Sequence, residues 1–97
     1  MKTIIDYLDE LKEKVGSDYK VAELLGVDRS AISNIRKRGA MSTDLAIKIA
    51  ELLNEDKGKL LIASEIAKSK GNVRCEWEKL AVKFDKKLLT ILLNFFQ

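Results

Sequence analysis

The stretch that decides the fold is Asp18-Tyr19-Lys20-Val21-Ala22-Glu23-Leu24-Leu25-Gly26-Val27-Asp28-Arg29-Ser30-Ala31-Ile32-Ser33-Asn34-Ile35-Arg36-Lys37. It reads as two helical patterns joined by a short turn. Ser17 caps the first, which runs from Asp18 to Leu25 with Val21, Ala22, Leu24 and Leu25 on its buried side. Gly26 and Val27 turn the chain, and Asp28 is a good N-cap for a second helix that reaches about Arg38 before Gly39 stops it. Two helices crossing this closely make specific demands. Ala22 is small where the second helix crosses the first. Gly26 stands where the turn needs φ > 0, which costs any residue with a Cβ. Val27 tucks under the turn, while Ile32 and Ile35 anchor the second helix.

The second helix divides cleanly at 100° per residue. With Arg29 at 0°, Ser33 lies at about 40°, Lys37 at about 80°, Ser30 at about 100° and Asn34 at about 140°. Ala31, Ile35 and Ile32 occupy the opposite, core-facing side. The outer face thus offers only side chains able to bond base edges or phosphates, with no acid among them. A helical hairpin with a solvated polar face is the alternative. The coincidence of a turn glycine, a small residue at the crossing and a basic, acid-free face argues against it.

Charge points to the same segment. The 97-residue chain carries a net charge of +3, unevenly spread. Residues 1–27 hold four lysines against six carboxylates, residues 28–40 hold Arg29, Arg36, Lys37 and Arg38 against Asp28, and residues 41–71 balance. Residues 72–97 hold five basic residues against three acids. Positive charge focused in this way suits local contact with a phosphate backbone.

Outward from this segment the reading is helical throughout. There is no proline, and the apolar fraction of 46% beside 34% charged residues describes a globular chain with one core. Thr3 and Asp6 have capping-box spacing ahead of Ile4, Leu8, Leu11 and Val15, and Gly16 ends that first helix. Ser42 or Thr43 opens a fourth helix carrying Leu45, Ala46, Ile49, Ala50, Leu52 and Leu53. A fifth begins near Glu55 or Asp56, holds Gly58 in its first turn, and stops at Gly71. Asn72 caps a sixth, with Val73, Trp77, Leu80, Ala81 and Phe84 along one face, and Asp85 restarts the chain into a last apolar helix. The fold class expected is all-α, a helix-turn-helix domain over residues 1–70 followed by two C-terminal helices in residues 71–97.

Several functions are disfavoured. With no histidine and the single Cys75, neither a Cys/His zinc site nor a Cys-His or Ser-His dyad can be built. A carboxylate- or lysine-based enzyme would need a site pattern, and none stands out, so we expect no enzyme, cofactor or small-molecule ligand. Cys75 reads as an ordinary small residue. The first residues turn acidic too early for a secretory signal, and the apolar run Leu88 to Phe96 is about half the roughly 20 residues of a spanning helix. The expectation is a cytoplasmic, reduced protein that does not engage a membrane.

The residues Val21-Ala22-x-x-Leu25-Gly26-Val27, then Ile32-x-x-Ile35, then Ala46-x-x-Ile49-Ala50-x-x-Leu53, resemble the Cro/CI-type (XRE-like) helix-turn-helix family of phage and bacterial repressors. The resemblance spans roughly residues 3 to 67. Residues 72–97, including Glu76-Trp77-Glu78-Lys79-Leu80, resemble, more weakly, the tails of small phage-encoded regulators. The family resemblance implies a five-helix lambda-repressor-like domain that puts its third helix in the major groove, as a dimer on a near-palindromic operator. Carried over by position, Arg29, Ser30, Ser33 and Asn34 would read bases, and Lys37 and Arg38 would hold phosphates. Family members often place glutamine first in the second helix to clamp a phosphate. Asp18 stands there and would repel one, so either Ser17 and Tyr19 make that contact or it is absent.

The C-terminal run poses the question of partners. Leu88, Leu89, Ile91, Leu92, Leu93, Phe95 and Phe96 surround nearly a whole helical circumference, which a small monomer has limited means to cover. A homodimer interface is the leading reading, with packing inside the monomer next. Trp77 and Phe84 read as core. The expected function is therefore a dimeric, operator-binding repressor of double-stranded DNA. The alternatives are an antitoxin or anti-repressor that binds a partner protein through its apolar C-terminus, and a purely helical adaptor without DNA binding.

Overall fold

The computed structural model describes residues 2–95, with side chains for residues 2–84. Among the described residues there are six helices and no strand: α1 (Ile4–Val15), α2 (Asp18–Leu25), α3 (Arg29–Arg38), α4 (Thr43–Leu53), α5 (Lys57–Lys68) and α6 (Gly71–Phe95).

Local chemistry sets most of these boundaries. At α1 the Thr3 hydroxyl accepts from Asp6 N–H at 3.2 Å, and Thr3 N–H donates to the Asp6 carboxylate at 2.9 Å. This reciprocal pair satisfies donors that the first helical turn leaves without partners. It also holds the Asp6 carboxyl below its ordinary range, the backbone bond from Thr3 being the main cause. Ser17 caps α2 through Lys20 N–H and Ser42 caps α4 through Leu45 N–H. Asp56 accepts from both Gly58 and Lys59 at the start of α5. Asp28 occupies the N-cap position of α3 but makes no side-chain capping bond.

The core is assembled from one face of each of the first five helices. Ile4, Tyr7, Leu8 and Leu11 of α1 meet Val21, Ala22 and Leu25 of α2, Ile32 and Ile35 of α3, Ala46, Ile49 and Ala50 of α4, and Leu60 and Ala63 of α5. Met41, in the loop before α4, joins them. Each fully buried aliphatic side chain contributes roughly 1.5–3 kcal/mol. Ser64 is the buried polar side chain among the described residues, and its hydroxyl donates to the Met41 carbonyl at 3.5 Å.

Three expectations need correction. Helix α5 ends at Lys68, not Gly71, because Ser69 takes an extended conformation and returns both its N–H and its hydroxyl to the Glu65 carbonyl. The two C-terminal helices are one: Asp85 lies within α6, which runs unbroken for 25 residues. An aspartate inside a helix costs only about 0.7 kcal/mol, and no glycine or proline follows to stop the chain. Finally, Leu24, Val73 and Leu80 are not core residues, being 50%, 59% and 45% exposed. Helix α6 packs chiefly on α5. It presents Ala81, with half-buried Trp77 and Phe84, and turns Val73 and Leu80 outward.

Candidate nucleic-acid interface

The turn between α2 and α3 consists of Gly26, Val27 and Asp28. Gly26 has φ +71°, and its N–H reaches the Ala22 and Glu23 carbonyls, while Val27 N–H donates to Ala22 at 3.0 Å. These bonds satisfy the end of α2 and fix the direction in which α3 leaves. Lys48 of α4 adds a bond from its ammonium to the Leu25 carbonyl at 3.3 Å. It places a cation at the C-terminal end of α2, where the helix dipole favours one.

Helix α3 is anchored by Ile32 and Ile35, which are 0% and 4% exposed. With these two fixed, the opposite face must point outward. Arg29, Ser30, Ser33, Asn34 and Lys37 are all exposed on it. Among the described residues none of them makes a side-chain hydrogen bond or salt bridge, and Arg29 is near enough to Asp18 to feel its charge. Ser17 is half-buried, its oxygen engaged as the α2 cap, whereas the neighbouring Tyr19 is 62% exposed.

Two basic residues behave differently from this face. Arg38 is exposed at the end of α3, but it borders a cleft of about 540 Å³ formed with Lys2, Ile4, Ala63, Ile66, Ala67, Arg74 and Ala81.

Arg36 is the residue whose role sequence reading missed. Its Nε and Nη2 donate to the two carboxylate oxygens of Asp18 at 3.0 and 2.9 Å, and its Nη1 reaches Asp9 at 2.5 Å. A planar guanidinium matches a carboxylate in this two-point fashion, so the pair fixes geometry as well as charge. Both side chains are three-quarters buried. Arg36 holds the Asp18 carboxyl below its ordinary range, and the two acids push the guanidinium pKa up in return. Asp18, which on its own would repel a phosphate, therefore has its charge answered from within the chain. No local spacing announces this pair, because the acid that opens α2 and the arginine on the flank of α3 meet only when the two helices pack.

The expected dimer interface lies beyond the described side chains. The side chains of Leu88, Leu89, Ile91, Leu92, Leu93 and Phe95, and the whole of Phe96, lie outside the described residues. Within α6 the exposed apolar side chains that are described are Val73, Leu80 and Val82, with Cys75 exposed beside them. Among the described residues no helix is long and apolar enough to cross a membrane, and no cluster of acids and cysteine is placed to hold a metal ion.

No protein-family model, curated protein or solved structure matches the chain.

Proposed function

We propose that this protein is a sequence-specific, double-stranded DNA-binding regulator of the Cro/CI helix-turn-helix type, acting as a dimeric repressor on a palindromic operator. The observation that carries the reading is the acid-free face of α3, where Arg29, Ser30, Ser33, Asn34 and Lys37 stand exposed and unpaired opposite buried Ile32 and Ile35. A helix so presented fits the major groove, where Arg reads guanine and Asn reads adenine by paired hydrogen bonds. In this reading α1 to α5 form the lambda-repressor-like domain. Lys37 and Arg38 supply phosphate contacts at the end of the reading helix, and Ser17 and Tyr19 approach the backbone from the start of α2.

The test separates base reading from backbone grip. A duplex is first selected from random DNA by the purified protein, then titrated beside a scrambled duplex at several salt concentrations. Arg29→Ala or Asn34→Ala should cost roughly 1–3 kcal/mol on the selected duplex and relax preference at one base pair per half-site. Lys37→Gln should weaken both duplexes alike and lower the salt slope by about 1. Equal losses on both duplexes for Arg29→Ala and Asn34→Ala would refute the reading face.

A second reading has one observation in its favour: Val73, Leu80 and Val82 leave α6 with exposed apolar surface. An antitoxin or anti-repressor would use it to bind a different protein, keeping DNA binding for its own regulation.

A further inference from the structure

We infer that Arg36 is the positioning residue of the reading helix: forked onto Asp18 of α2 and joined to Asp9 of α1, it sets the angle at which α3 is offered to DNA without itself touching the duplex. The inference rests on the proposed function and specifies which cations of α3 are spent internally.

Three observations lead to it. First, the bonds join three elements at one point. Asp9 lies 27 residues and Asp18 lies 18 residues before Arg36, so the guanidinium ties α3 to both preceding helices. Second, buried Ile32 and Ile35 set which face of α3 turns inward. The two-point bond to Asp18 on the flank of the helix narrows its orientation further, because guanidinium and carboxylate must be coplanar and in register. Third, Arg36 has little left to offer a phosphate: three of its five guanidinium N–H groups are taken, and two acids answer its charge. Nε, Nη1 and Nη2 are all engaged, and the side chain is 27% exposed against two acids. The positive charge that α3 offers to DNA is therefore that of Arg29, Lys37 and exposed Arg38.

Simple electrostatics and positioning predict opposite signs for one substitution. Asp18→Asn removes a negative charge close to the proposed DNA face, so charge alone would tighten binding. If the carboxylate is needed to hold Arg36, binding must weaken instead. The full-length protein, Asp18→Asn, Arg36→Met and Arg36→Lys are titrated against the duplex selected by wild type and against a scrambled duplex, across a salt series. All are assayed well below their melting temperatures, with helix content checked by circular dichroism.

Positioning predicts that Asp18→Asn and Arg36→Met each lose about tenfold on the selected duplex. They should lose less on the scrambled one and keep the wild-type salt slope. Arg36→Lys, which retains charge but cannot fork, should fall between wild type and Arg36→Met. The inference is overturned if Asp18→Asn binds as tightly as wild type or tighter. It is equally overturned if Arg36→Met lowers the salt slope by about 1, the signature of a lost phosphate contact. A wild-type protein without salt-dependent binding to any duplex would overturn the proposed function itself, and that outcome is visible before any variant is made.

Discussion

Gly26 and Asp18 show how single residues carry this structure by different means. At Gly26 the constraint is conformational: φ is +71°, and an added Cβ would meet nothing nearer than the Lys48 ammonium at 4.0 Å. Space is available, so a substitution pays in backbone strain alone. Gly26→Ala should lower stability by about 1 kcal/mol, and Gly26→Val by more, because a β-branched residue tolerates positive φ worst. Gly26→Asn should cost least, since asparagine visits this region readily. Urea midpoints for the three variants would check the order. At Asp18 the constraint is electrostatic. Arg36 lowers its pKa in the folded state, so its stabilising contribution is complete above the unfolded value and fades as pH falls through the folded one. Asp18→Asn should thus be less stable than wild type at neutral pH, and the gap should narrow below about pH 4. Denaturant titrations from pH 7 down to pH 2.5 would show it, and a constant gap would mean that the carboxylate does not carry the effect.

At the scale of elements, the joint between α5 and α6 turns on a glycine for the opposite reason. A Cβ at Gly58 would come within 2.9 Å of the Asp56 capping oxygen and 3.1 Å of the Phe84 ring. Alanine is the better helix former by about 1 kcal/mol, so propensity alone predicts that Gly58→Ala stabilises. Crowding predicts otherwise, because overpacking at a close contact costs roughly 1–3 kcal/mol. We expect a net loss of about 1 kcal/mol in chemical denaturation. Combining Gly58→Ala with Phe84→Leu, which vacates the ring position, should recover part of that loss. A stabilised single variant would show that α6 does not press on α5 at this point.

For the whole molecule, the question is what covers α6. Its single continuous span projects 25 residues from a contact made chiefly with α5, and it leaves Val73, Leu80 and Val82 exposed. In the proposed reading a second copy covers this surface. Sedimentation of the full chain at micromolar concentration should then give a dimer. Removal of residues 71–97 should give a monomer with much weaker binding to the selected duplex, since a dimer engages two half-sites at once. A full-length monomer would refute dimerisation through α6, and a stable complex only with a second protein would favour the antitoxin reading.

Much of this was determined by the sequence alone, because helix ends obey short-range physics. Thr3, Ser17, Ser42 and Asp56 cap helices through N–H groups two or three residues away, and Gly16, Gly26 and Gly39 end them by their own φ. The inward face of α3 followed from a period of 3.6 residues, and Ile32 and Ile35 are buried accordingly. Periodicity says which residues share a face, however, and not whether another element arrives to cover it. Among the described residues Leu24, Val73 and Leu80 are exposed, while Tyr7, Ile62 and Ser64 are buried by neighbours from other elements. The continuity of α6 through Asp85 likewise depended on a weak propensity that a local reading took for a stop. The Arg36 junction was the least legible of all. Its partners are brought within bonding distance only when α1, α2 and α3 pack together, and no spacing in the chain encodes a contact across 18 and 27 residues. Composition counted Arg36 as free positive charge; tertiary structure spends it on holding the helix that carries the rest.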